Sequence, residues 1–144
     1  MSFGTLLDDD SNNTLRSTVA GSTGTASVVA LISANSSGLP YTISQTSATA
    51  LTSGANVIPA GATTVVPVYT PADNGGLPQV GALGTAGTWV GTRTLYTSDG
   101  VGSIRTIQAH YSITDDPAAG STAIVPLSQP AGTYTGTVTF TVTA

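Results

Sequence analysis

The chain has no cysteine, no lysine and no glutamate. Without cysteine there is no disulfide framework, no thiolate metal site and no cysteine nucleophile. Without lysine, an intramolecular Lys–Asn isopeptide cross-link is impossible. Three arginines stand against seven aspartates, giving a net charge of −4. That deficit of cations argues against nucleic acid or an anionic membrane surface as a partner, because both require basic patches. Lysine and glutamate are also good helix formers, so their absence disfavours helices. No apolar run approaches the roughly 18 residues of a membrane helix, which predicts no membrane insertion. Residues 1–7 lack the basic start of a signal peptide, and their apolar stretch ends at Asp8. Charged residues make up only 7% of the chain, where about a quarter is usual. A surface so poor in charge favours association.

What is present suits strands. The 144 residues fit one domain spanning 1–144 and suffice for a real core. Thr, Ser, Val, Ala and Gly dominate, which fits strands and tight turns. Turn signals recur about every eight to twelve residues, as in sandwiches and barrels. The clearest alternation covers 133–143. Tyr134, Val138, Phe140 and Val142 share one face with Gly136, and threonines fill the other, which predicts a half-buried strand. Across 104–114, Ile107, Ala109, Tyr111 and Ile113 alternate with Gln108, His110, Ser112 and Thr114. Residues 28–32 are apolar on both faces, which predicts a central strand. Weaker alternation marks 41–46, 63–69, 88–96 and 122–127. These features together predict an all-β, antiparallel sandwich.

The connections have their own chemistry. Pro59-Ala60-Gly61 and Pro130-Ala131-Gly132 fit type I turns with Pro at the second position and Gly at the fourth. Asp116-Pro117 fits a turn start. Asp99-Gly100, between Tyr96 and Ile104, predicts a hairpin. Residues 73–87 hold five glycines and Pro78, and read as a long flexible loop inside the single domain.

Catalytic chemistry finds few carriers. His110 is the only histidine and lies on the polar side of its strand. No Gly-x-Ser-x-Gly elbow accompanies the serines, so a surface or cross-strand role is expected for it. Asp8, Asp10 and Asn12 have the spacing that opens a calcium loop, yet the turn glycine and the closing glutamate are missing. A turn is the expectation there, and no metal or cofactor site is assigned. Asp115 and Asp116 are adjacent and point apart in extended chain, so a turn before Pro117 is expected. Arg16, Arg93 and Arg105 are scattered and read as solvated surface charges. Trp89 suits a core anchor better than a sugar-stacking platform. The expectation is that the chain is not an enzyme.

The C-terminal phrase carries a resemblance. Pro130-Ala131-Gly132-Thr133-Tyr134-Thr135-Gly136-Thr137-Val138-Thr139-Phe140-Thr141-Val142 resembles the closing strand of the spore coat protein U family, approximately Pro-Ala-Gly-x-Tyr-x-Asp-Thr-Val-x-Val-x-Val. Gly136 stands where that phrase has an acidic residue. Phe3-Gly4-x-Leu6 is similar to the family's early Phe-Gly segment, Leu39-Pro40-Tyr41-Thr42-Ile43 to its Pro-Tyr strand, and Leu95-Tyr96-Thr97 with Asp99-Gly100 to a mid-domain phrase. Many members carry a disulfide for which this chain has no cysteine. The family includes subunits of archaic chaperone–usher pili.

The resemblance implies an immunoglobulin-like sandwich that lacks its last strand and is completed by a donor strand from a neighbouring subunit. It implies a structural subunit of an extracellular, cell-surface filament serving adhesion or biofilm formation. The implied partners are other copies or related pilins, with a periplasmic chaperone and an outer-membrane usher during assembly. The donor extension would precede Phe3, where this sequence has Met1 and Ser2. Tyr134, Val138, Phe140 and Val142 are then expected beside the groove. Two other readings fit the composition: a virion or surface-layer decoration protein, and a carbohydrate-binding β-sandwich module using Trp89.

Overall fold

A computed structural model describes residues 3–9, 14–17, 27–69, 80–113 and 123–144. Thirteen strands are named in chain order: β1 Leu6–Asp9, β2 Thr14–Ser17, β3 Ser27–Ala34, β4 Thr42–Ser47, β5 Thr52–Ser53, β6 Asn56–Val57, β7 Thr63–Tyr69, β8 Ala82–Leu83, β9 Gly87–Thr88, β10 Gly91–Thr97, β11 Arg105–Ile113, β12 Val125–Pro126 and β13 Thr139–Thr143. A 3-10 turn, Ala60–Ala62, precedes β7.

The strands form two main antiparallel sheets packed as an immunoglobulin-like sandwich. One runs β3-β11-β7-β9 and the other β13-β4-β10-β8. A three-stranded sheet, β1-β2-β12, and the ribbon β5-β6 complete the architecture. Alternation in β11 builds the floor of the core. Ile107, Ala109, Tyr111 and Ile113 are buried, while Gln108, His110 and Ser112 face outward and are half-buried. Val65 of β7 extends this row in the same sheet, and Ile43 of β4 with Leu95 and Tyr96 of β10 close over it. In β10 the register against β4 shifts between Thr94 and Tyr96. That bulge turns two consecutive side chains, Leu95 and Tyr96, inward.

Two aromatic contacts across the sandwich fix how the sheets overlie. Tyr111 of β11 meets Phe140 of β13 at 6.4 Å. Tyr69 of β7 meets Tyr96 of β10 at 6.4 Å. Strand β13 therefore lies over β11, and β10 over β7. It follows from the sheet orders that, among the described residues, β3 and β13 end the sheets on one flank, and β9 and β8 end them on the other.

Several expectations need correction. Residues 28–32 belong to β3, which ends its sheet among the described residues, so their two apolar faces do not mark a central strand. Asp99-Gly100 does not close a hairpin, because β10 pairs with β4 and β8, whereas β11 pairs with β3 and β7. The turn crosses between sheets. Gly102 donates to the Asp99 carbonyl at 3.2 Å, and the Asp99 carboxylate accepts from the Ser103 N–H and hydroxyl at 2.8 and 2.7 Å. Gly102 sits at φ +61°, where a Cβ would lie 1.8 Å from the Leu39 carbonyl oxygen. Residues 88–96 split between two sheets, with Trp89 and Val90 spanning the step from β9 to β10.

The loop expected over 73–87 forms β8 and the start of β9 within its described part, and 73–79 lie outside the described residues. Gly84 there approaches β10 so closely that a Cβ would meet the Thr94 carbonyl oxygen at 1.9 Å, so this glycine serves packing. At Pro59 the turn closes one residue later than expected, with Ala62 donating to the Pro59 carbonyl. Around Pro130, the closed turn lies earlier, from Pro126 to Gln129. The Asp115-Asp116-Pro117 turn lies outside the described residues.

A buried polar bridge ties the sheets together. Gln45 of β4 donates to the Trp89 carbonyl at 2.7 Å and accepts from the Tyr111 hydroxyl. Both side chains are fully buried, so each polar atom depends on its partner. Tyr111→Phe leaves the Gln45 carbonyl oxygen without its donor and is expected to cost about 1–3 kcal/mol, read as a lower urea midpoint with an unchanged slope.

A tyrosine cluster closes the far end. Tyr41 and Tyr96 lie 5.9 Å apart; Tyr41 donates to the Ser103 carbonyl at 2.9 Å and Tyr96 to the Val80 carbonyl at 2.7 Å. Burial, followed by the neighbouring Tyr41, pushes the Tyr96 phenol up from 10.0 to about 12, with Arg105 opposing. A raised phenol contributes stability that is complete below the unfolded value and is lost as pH rises through the folded one. Stability is therefore expected to fall between about pH 10 and 12. The fall should be smaller in Tyr96→Phe, measured by urea unfolding alongside phenolate absorbance.

Candidate functional site

The principal cleft opens between the two ends of the described chain and has a volume of about 810 Å³. Residues 3–6 form one wall, 127–138 form the other, and Leu51, Ile58, Trp89 and Ile113 line the base. Its apolar base follows from the strands beneath: Ile113 ends the inward row of β11, and Trp89 turns inward at the step between β9 and β10.

Four aromatic rings run under this region. Phe3 lies 5.2 Å from Trp89, Trp89 lies 5.6 Å from Tyr111, and Tyr111 lies 6.4 Å from Phe140. Trp89 is 3% exposed. It is a core anchor and presents no open ring face for a sugar.

The second wall is held by side chains. Tyr134 donates to the Pro130 carbonyl at 2.6 Å, four residues upstream, in the manner of the tyrosine corner of immunoglobulin-like domains. Gln129 donates to the Tyr134 hydroxyl at 2.7 Å and to the Val57 carbonyl at 3.2 Å. Thr135 and Thr52 exchange backbone hydrogen bonds of 2.8 and 2.9 Å, and the Ser47 hydroxyl donates to the Thr137 carbonyl at 2.9 Å. The wall then continues through Val138 directly into β13.

The strand expected across 133–143 is regular only in β13, with the single bridge at Thr135 before it. Its side-chain alternation persists from Tyr134 to Phe140. Tyr134 and Val138 are half-buried and line the cleft, and Phe140 is half-buried against Tyr111. Val142 is 48% exposed, although its alternation points it to the same side. The intervening threonines are exposed. Strand β13 pairs on one side with β4 and, among the described residues, ends the sheet on the other.

The remaining candidates are not brought together. His110 faces outward on β11, paired across strands with Val29 and Val66, and shares a hydrogen bond of 2.9 Å with Gln108. Asp8 and Asp9 belong to β1, opposite Leu15 and Thr14, and residues 10–13 lie outside the described residues. Among the described residues, no three His, Asp or Glu side chains cluster as metal ligands do.

The arginines differ from the solvated charges expected. Arg105 is buried, 6% exposed, because it shares the inward face of Ile107. Arg93 donates to the Thr88 and Thr85 carbonyls at 3.1 and 3.3 Å, and so clamps the chain entering β9. The side chain of Arg16 is not among those described. Sequence alternation alone signalled the inward placement of Arg105, which falls in phase with Ile107.

No protein-family model matches this chain, and no curated protein or solved structure is significantly similar to it.

Phe3→Ala removes the ring that caps Trp89 at the cleft. The expected result is a red shift of the emission from the single tryptophan and a loss of about 1–2 kcal/mol, read by fluorescence-monitored urea unfolding.

Proposed function

We propose that this chain is a structural subunit of an extracellular filament, completed by an extended strand from a neighbouring copy. The observation that carries the reading is the cleft between residues 3–6 and 127–138. It has an apolar base and leads into the outer edge of β13. The geometry suits β-augmentation. Backbone groups along the open edge of β13 would supply hydrogen bonds, and apolar side chains at alternate positions would enter the cleft above Trp89 and Ile113. Val142, exposed on the inward side of β13, would be covered by the same strand.

The resemblance of residues 130–142 to the spore coat protein U closing phrase supports the reading independently of the cleft. It brings the chaperone and usher of archaic pili as assembly partners, and a cell-surface location reached through the periplasm. The sparse charge and the neutral rows of threonine favour association between copies.

The test fuses an extended strand of alternating Val and Thr to the N-terminus through a Gly/Ser linker. A filled cleft is expected to raise the melting temperature by roughly 5–10 °C, equivalent to about 2–3 kcal/mol in a chain of this size. High stability that the fused strand leaves unchanged would overturn the reading.

A further inference from the structure

The two main sheets have four outer strands, and they are treated differently. On one flank β8 and β9 are two residues long. Very short edges offer little ladder to an intruding strand. On the other flank β3 runs for eight residues, Ser27–Ala34. It pairs with β11 in unbroken register, from Ser112 opposite Ser27 to Arg105 opposite Ala34. Among the described residues nothing pairs with its outer edge.

None of the devices that protect a natural edge is present in β3. It contains no proline, no charge and no bulge. Its inward row is incompletely covered, since Val28, Ala30 and Ile32 are half-buried. Its outward row is apolar too, with Val29 43% and Leu31 64% exposed. A strand that completes this edge must therefore be apolar on both faces. Among the described strands that end a sheet, β3 alone offers five consecutive residues of that kind, Val28 to Ile32.

We propose that β3 pairs with the β3 of a second copy, antiparallel about a two-fold axis normal to the sheet. Such an axis sets inward residues opposite inward residues. Centred on Ala30, it places Val28 opposite the second copy's Ile32 and Val29 opposite the second copy's Leu31. No charge is buried, and both apolar rows are extended. The result is one continuous sheet across two chains, an isologous contact that closes on itself. The pairing uses a different edge from the cleft and does not rest on the filament reading. In a filament it would link neighbouring fibres side by side.

The absence of cysteine makes a clean probe. Directly opposed residues of an antiparallel pair have Cβ atoms about 4.5–5.5 Å apart, close to disulfide range. Mild oxidation of Ala30→Cys is expected to give a covalent dimer on a non-reducing gel. Val68→Cys, exposed on β7 of the same sheet, should give none. In sedimentation the unmodified chain is expected at twice its 14.2 kDa. Leu31→Lys, at an outward position where an unchanged circular dichroism spectrum is expected, should return it to the mass of one chain. An unmodified chain that sediments singly would overturn the proposal. So would a dimer that survives Leu31→Lys, or one in which Ala30→Cys does not cross-link.

Discussion

A sheet of finite width leaves two rows of backbone donors and acceptors unmet, one at each outer strand. In this domain those rows are distributed unevenly. The flank carrying β8 and β9 ends in strands of two residues. Tyr96 and Tyr69 reach out to hold the chain beside it through the Val80 and Gly81 carbonyls. The flank carrying β3 and β13 has longer edges, and the inward side chains beneath them are only partly covered. Burial follows the same asymmetry. Val65, Leu95 and Tyr96, toward the closed flank, are fully buried, while Ile32, Phe140 and Val142 are not.

The middle of the sandwich is rigidly specified despite its open flank. The bridge from Trp89 through Gln45 to Tyr111 joins the two sheets by hydrogen bonds inside the core, where an unmet group costs more than a met one gains. The ring row from Phe3 to Phe140 runs past the same residues. Tyr111 belongs to both, so the base of the cleft and the registration of the sheets depend on one side chain. A cleft built on such a base is shaped before any strand enters it, and preorganisation of that kind lowers the ordering cost of binding.

Period-two alternation made much of the fold readable, and tertiary context decided the rest. Strand β11 was legible to within a residue because its two faces differ in chemistry from Thr106 to Ile113. Strand β7 matched over its whole length. Strand β3 was legible as a strand, but its position was not. Apolar residues on both faces signal burial on both faces, and local sequence does not distinguish a strand covered by its own sheet from one that waits for cover. Asp99-Gly100 fits a tight hairpin turn locally, yet the pairing partners of β10 and β11 lie in different sheets, and no local signal reports that. Gly84 reads as freedom in the sequence and, like Gly102, serves close approach in the fold. Tyr134 and Val138 were found by alternation, whereas Phe3 and Trp89, which complete the cleft, come together only through long-range packing.

The two edges on the open flank differ in what can satisfy them. Strand β13 alternates threonine with Phe140 and Val142, so its face toward solvent is already polar and an entering strand needs apolar side chains on one side only. Strand β3 is apolar on both sides and cannot be completed by such a strand without leaving Val29 and Leu31 bare. Stacked sheets lie about 10 Å apart, and one extended strand presents its hydrogen bonds in a single plane. It therefore cannot serve both ladders at once. Completing this flank takes two strands of different character: one of alternating polarity beside β13, and one apolar throughout beside β3. On the two proposals made above, the same chain surface would carry two separable contacts, one for growth along a filament and the other for pairing across it.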